Sequence, residues 1–235
     1  DLARPPAPRP RERRHRCGTA TGQTRTARAA WSRAVARPAA LWSSARMEHR
    51  WLPEAKEPPT LEGRRVRLRA TRDADADGLF MVFSDPEAMR YWSTTPVSDL
   101  AQIRERIALV REWFALREGL QWVIALVDDD RSIGTATLFN FSLANRRAEF
   151  GCSLARMLWG QGLAREAAAL MLRFAFERMG LERIEADIDP RNAQSIGLVE
   201  RLGFQREGTL RARWRVGGAV QDSAWYGLLK DEFRA

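Results

Sequence analysis

The chain has 235 residues, 45% of them hydrophobic and 29% charged, which suits one globular domain of ordinary size with room for a tail. No stretch approaches the ~18–20 uninterrupted apolar residues of a membrane helix. Two cysteines (Cys17, Cys152) exclude a disulfide framework, and with only two histidines they argue against a Cys/His zinc site. The net charge of +9 points at first sight to nucleic acid or an anionic surface.

Of the 39 basic and 30 acidic residues, eleven arginines and two acids fall in residues 1–46, so the other 28 and 28 cancel in residues 47–235. Residues 1–46 are rich in Arg, Ala and Pro and have no Ile, Phe or Tyr. Such a segment buries too little apolar surface to offset the entropy of ordering, and it is expected to be disordered. Three readings stand for it: sequence upstream of a functional start at Met47, an Arg-rich presequence, or a basic arm for nucleic acid. Residues 47–62 are then a lead-in with Pro53, Pro58 and Pro59, and 63–235 the folded domain. Nucleic acid is not an expected partner of that balanced domain.

Arg64–Ala70 alternates arginine with Val66 and Leu68, the pattern of a half-buried strand. Asp73–Phe83 places acids in a first turn ahead of Leu79, Phe80, Val82 and Phe83, a helix, and Pro86–Trp92 reads as a further short helical piece. Leu100–Arg117 spaces Ile103, Ile107, Val110 and Phe114 by three and four, an amphipathic helix. Gln121–Val127 and Ser132–Phe141 form a hairpin around Asp128–Asp130, which has no spaced ligand pattern for calcium. Ala148–Leu154 is a strand, and Leu163–Met179 a helix stopped by Gly180. Arg183–Ile188 is a strand, and Ala193–Leu202 a helix stopped by Gly203. Strands Phe204–Arg213 and Ala224–Leu229, joined through Gly217–Gly218, close the domain. Runs of strands beside a late βαβα section indicate a mixed α/β sheet rather than a doubly wound one.

One segment carries chemistry. The strand ending Cys152-Ser153-Leu154 runs through Met157 into Trp159-Gly160-Gln161-Gly162-Leu163-Ala164, where a long helix starts at once. Glycines let a backbone approach a ligand, and the first helical N–H groups are unpaired, so the turn suits a phosphate. A strand-to-helix turn also uses glycine for purely structural reasons. A dinucleotide fingerprint fails because Arg165 stands where its third glycine belongs, and a P-loop fails because Gly162-Leu163-Ala164 lacks Lys-Ser/Thr. The second informative run is Asp189-Pro190-Arg191-Asn192-Ala193-Gln194-Ser195 followed by Leu202-Gly203-Phe204.

With the Ala148-Glu149-Phe150-Gly151 strand, these two runs give the chain from about Arg64 to Phe233 a resemblance to the GNAT (Gcn5-related) N-acetyltransferases, specifically the ribosomal-protein N-terminal acetyltransferase-like branch and its small-molecule relatives. The resemblance implies a mostly antiparallel sheet flanked by helices and a cytoplasmic, metal-free enzyme, monomeric or homodimeric, that uses acetyl-CoA as co-substrate. It places the cofactor's pyrophosphate on the N–H groups of Trp159, Gly160, Gln161, Gly162, Leu163 and Ala164. The pantetheine arm then runs along Cys152, Ser153 and Leu154, in a splay between this strand and Arg183–Ile188. Asn192 is implied to bond that arm, a role compatible with its being a plain helix cap. Glu149 is the implied general base, or else a surface partner of Arg146 or Arg147. Ser195 is the implied donor to the leaving thiolate, or else a helix-start hydroxyl. Tyr91 and Trp92 are implied to shape the acceptor pocket, while Cys152 reads as an inert buried thiol. Many members carry a tyrosine as general acid where this chain has Val199, and a Gln or Arg where it has Met157. The acceptor implied first is a protein N-terminal α-amino group; a small amine, or acyl-CoA binding without catalysis, are the alternatives.

Overall fold

The structure, a computed structural model, describes residues 55–234, so the expectations for residues 1–46 and for the start of the lead-in fall outside the described residues. Eight strands form one sheet in the order β1-β2-β3-β4-β5-β6-β8-β7. They are β1 (Leu61–Glu62), β2 (Val66–Arg69), β3 (Gly119–Leu126), β4 (Ser132–Ser142), β5 (Arg147–Leu154), β6 (Arg183–Ile188), β7 (Gln205–Val216) and β8 (Ala219–Leu229). The helices are α1 (Ala76–Phe83), α2 (Leu100–Ala115), α3 (Leu163–Arg173) and α4 (Ala193–Leu202). Every strand pair is antiparallel except β5–β6. The mixed, mostly antiparallel sheet flanked by helices is the expected fold class.

Alternation assigns the two faces. Val66, Leu68, Trp122, Ile124, Ala136, Leu138, Ala148, Ile184, Ala186 and Leu228 point to one side, where Ala167, Met171, Leu172, Val199 and Leu202 of α3 and α4 cover them. Val123 and Ala125 point to the other, under Leu79, Val82 and Phe83 of α1 and Ile103 and Ile107 of α2. The helical spacing in α2 is therefore a core stripe, as the pattern predicts, and Asp99 caps its start by accepting from the Gln102 N–H (3.0 Å).

Four local expectations change. Residues 86–92 form turns rather than a helix, with Met89 N–H on the Asp85 carbonyl and Trp92 N–H on that of Met89 (both 3.0 Å). The helix expected to reach Met179 is α-helical only to Arg173 and continues as a π-helix through Phe174–Arg178. That widening accompanies two aromatic contacts, Phe174 edge-on to Trp122 (5.6 Å) and Phe176 on Phe233 (5.7 Å). The last hairpin is longer than its apolar pattern suggests, because β7 is polar and almost wholly exposed and owes its pairing to β8. Arg69, read as outward-facing, is buried. It makes a two-pronged pair with Asp75 (2.9 and 2.8 Å) and reaches Asp130 (2.9 Å), so the Asp128–Asp130 turn is tied into the start of α1.

Candidate active site

β5 and β6 run parallel for three register pairs only: Arg147↔Arg183, Ala148↔Ile184 and Glu149↔Glu185. Beyond Glu149, β5 pairs with β4 alone, and beyond Glu185, β6 pairs with β8 alone. The sheet therefore opens into a splay at its centre. Ala155 N–H bonds Ile133 C=O (2.8 Å), and antiparallel pairing alternates, so Cys152 and Leu154 turn their backbone groups toward the splay. The Leu154 carbonyl is taken there by the Trp159 indole N–H (2.8 Å), which fixes the loop against the strand end.

Among the described residues, that loop leaves a run of backbone N–H groups unpaired. After a 3₁₀ turn at Arg156–Leu158, Gly160 (φ 75°) and Gly162 (φ 78°) are both left-handed, which an L-residue adopts only at a cost. A Cβ on Gly160 meets nothing within 4 Å, so its backbone angle, not space, requires glycine. The first helical bond is Glu166 N–H to Gly162 C=O (3.1 Å), and among the described residues no backbone partner takes the N–H groups from Gly160 to Arg165. They form a concave run at the positive end of α3. Glu166 locks the run in place: its carboxylate accepts from Arg65 N–H (2.7 Å) and Arg65 Nε (3.0 Å), while Arg65 Nη1 also donates to the Gln161 carbonyl (2.9 Å). Burial raises the Glu166 pKa, but these bonds outweigh it and hold the carboxyl below its ordinary value. Met157 lies exposed beside the run.

On the other side, Asp189 holds Arg191 by two charged bonds (2.9 and 2.6 Å) and leads into Asn192. The Asn192 carbonyl oxygen caps α4 by accepting Ser195 N–H (3.1 Å), which leaves the amide NH₂ to donate. The cap reading of Asn192 thus holds without excluding a ligand role. Ser195 sits half-buried on the first turn of α4. Val199 is buried in the core and carries no proton to give.

Glu149 closes the base of the splay on the face toward α1 and α2, and only 8% of it is exposed. Burial pushes its carboxyl above the ordinary value. Asn140, at the bulge of β4, hydrogen-bonds it and opposes the shift, while the nearby charges of Asp187 and Glu185 add to it. It is not paired with Arg147, whose guanidinium bonds Glu185 instead, nor with Arg146, which bonds Glu182. The surface-partner alternative for Glu149 is thereby answered. Asn140 and Asp187 are the members of the site that sequence reasoning missed. Asn140 has φ 50° in a strand, and Asp187 reaches Glu149 only through sheet register.

Segment 84–98 bridges the cleft. Asp85 binds Arg156 beside the anion loop (2.7 Å), and the Tyr91 ring meets Arg191 from the other wall (5.7 Å). Trp92 turns inward, edge-on to Phe83 (5.7 Å), so of this pair Tyr91 stands at the mouth. Burial pushes the Cys152 thiol up to about 12, which leaves it protonated. Among the described residues no group of three His, Cys, Asp or Glu is placed for a metal, and no helix is long and apolar enough to cross a membrane.

Comparisons with known proteins identify the family. Residues 65–205 match the family pattern described as an acetyltransferase (GNAT) domain. The chain is 36% identical over 174 residues to an uncharacterized N-acetyltransferase, p20, of Bacillus licheniformis, covering 74% of this chain and 98% of that one. It is 26% identical to the putative ribosomal N-acetyltransferase YdaF of Bacillus subtilis, over 72% and 93% of the two chains. The solved structure of Mycobacterium smegmatis RimJ in complex with CoA-disulfide superposes with a TM-score of 0.69 at 25% identity, covering 77% of this chain and 91% of that chain.

Proposed function

For a chain that belongs to the GNAT family and is an acetyl-CoA-dependent N-acetyltransferase, we propose that the acceptor is the α-amino group of a protein N-terminus. The observation that supports this most is that the last β5–β6 pair, where the cleft begins, holds the buried Glu149. One carboxylate is suited to an α-amine, whose reference pKa of about 7.7–8.0 leaves roughly a tenth of it neutral near pH 7; an alkyl ammonium near 10.4 is neutral to well under a hundredth and needs more help. The YdaF relative is named a putative ribosomal N-acetyltransferase, which favours a protein over a small-molecule acceptor.

Acetyl-CoA supplies an activated thioester. In this reading the N–H groups of Gly160 through Ala164 hold its pyrophosphate, the Trp159 N–H being taken by the Arg156 carbonyl (3.1 Å), and Cys152 and Leu154 pair with the pantetheine arm as an added strand, Ser153 turning its backbone to β4 instead, with Asn192 NH₂ donating to the arm. Leu154 N–H faces the carbonyl oxygen and stabilises negative charge as it develops. Glu149 takes the amine's proton through water, and Ser195 Oγ donates toward the departing sulfur. Tyr91 walls the acceptor mouth above Trp92.

A second reading, a small polycationic amine as acceptor, is favoured by the acidic lining of Glu149, Glu185 and Asp187. A panel of peptides and polyamines, scored by release of free CoA, separates the two. Turnover confined to peptides with a free N-terminus supports the proposal, and turnover confined to polyamines replaces it.

A further inference from the structure

The face of the sheet that carries Glu149 already holds a cation of its own. β7 has two more residues than β8 between the pairs Leu210↔Ser223 and Trp214↔Gln221. Ala212 is left-handed there (φ 52°), and its N–H is tied to Asp222 (2.8 Å). This bulge hangs Arg213 over the sheet. Its guanidinium carbon lies 5.4 Å from the Trp214 ring centre and 6.0 Å from that of Trp225, and its Nε donates to Asp187 at 3.3 Å. Trp225 is the register partner of Asp187 across β6–β8. Two indoles around a carboxylate make a box with the chemistry to hold a cation.

The box does not depend on Arg213. Asp187 also accepts from the Trp214 indole N–H (3.2 Å) and from Ser223 Oγ, both neutral donors. Arg213 itself makes one long bond, and its side chain is 42% exposed against 10% for Asp187. A single long bond from so exposed a guanidinium contributes little, so a better-seated cation can displace it. Asp187 stands two residues beyond Glu185, the partner of Glu149, on the same face of β6, and its charge reaches Glu149. The charge of Arg213 already reaches Glu149 and favours its ionised form.

We propose that the Asp187–Trp214–Trp225 box is the subsite for a second positive charge of the acceptor, that Arg213 fills it in the empty enzyme, and that Arg213 moves aside when acceptor enters. The acceptor is then an amine with another cation one strand step from the reacting nitrogen, such as a peptide with Arg or Lys at its second residue. This rests on the peptide acceptor proposed above.

The experiment compares two tetrapeptide amides that differ only in arginine or glutamine at the second residue, with acetyl-CoA and the full chain. The wild type should favour the arginine peptide by about tenfold in kcat/KM, the worth of one charge-assisted hydrogen bond. Asp187→Asn, which keeps an acceptor for Trp214 and Ser223, should bring the ratio to about one. Arg213→Ala should widen it several-fold through a lower KM for the arginine peptide. Equal use of the two peptides by the wild type, or a preference that survives Asp187→Asn, overturns the subsite. Calorimetric titration of the arginine peptide in the presence of CoA is run in parallel. If neither peptide is acetylated, the peptide reading fails by itself and the titration decides the subsite: tighter binding by Arg213→Ala and weaker by Asp187→Asn uphold it, and equal affinities reject it. Should Asp187→Asn fail to fold, the Arg213→Ala comparison alone decides.

Discussion

Replacing Glu149 by glutamine separates activity from stability in a way that a merely structural carboxylate does not. Glutamine keeps the shape and the contact with Asn140 but cannot accept a proton. A positioned general base contributes about 10²–10⁴-fold, or about 2.7–5.4 kcal/mol of barrier at 1.36 kcal/mol per decade. kcat/KM for the acceptor should fall by that factor. Stability should move the other way. Burial raises the Glu149 pKa in the folded state, so the folded protein holds this proton more tightly than the unfolded chain. Its contribution is favourable at low pH and is lost as pH rises from the ordinary carboxylate value through the raised one. Above that window the ionised, buried carboxylate is a cost, and Glu149→Gln should unfold at a denaturant concentration equal to or higher than the wild type. The wild-type rate should rise with pH across the same window, and the variant should lack that limb. CoA release by stopped assay and urea unfolding at pH 8 measure both. A variant that keeps more than a tenth of wild-type kcat/KM, or that is markedly less stable, refutes the base assignment.

Asp75→Ala removes one partner of the buried pair with Arg69 and should cost about 3–5 kcal/mol in urea unfolding, far more than loss of an exposed pair such as Arg90–Glu87. Asn192→Asp keeps the oxygen that caps α4 but loses the NH₂. Melting should hold while CoA affinity drops by several-fold, whereas Asn192→Ala should lose about 1 kcal/mol of stability as well. Gly160→Val forces a β-branched residue into a left-handed angle and should weaken CoA binding in calorimetry, although a Cβ there has open space. In a Cys17→Ser background, Cys152 should resist thiol reagents at pH 8 until denaturant is added.

What was legible in the sequence is what is local. The strand, Gly160–Gly162 turn and helix follow one another along the chain, and so do Asn192 and the turn it caps; short-range chemistry suffices to place both. The splay was expected from resemblance and rests physically on where β5–β6 pairing stops, which no single segment encodes. Asp187 lay in an ordinary alternating strand, and only the register β5–β6–β8 brings it beside Glu149 and Trp225. Asn140 was hidden because a bulge in β4 aims it, and bulges leave little trace in polarity patterns. Arg69 read as a solvent-facing residue because its partners, Asp75 and Asp130, come from two different turns. Polar β7 gave no apolar alternation to measure its length, and its bulge, with Arg213 on it, follows from pairing with β8.

In the proposed binding mode the β5–β6 splay and the run of free N–H groups after it hold acetyl-CoA. Residue-resolved amide hydrogen exchange with and without CoA tests this most directly. Slower exchange at Cys152, Leu154 and Gly160–Ala164, with the β7–β8 turn at Gly217–Gly218 unchanged, is the predicted result. Protection elsewhere, with those amides exchanging as fast as in the free protein, contradicts it.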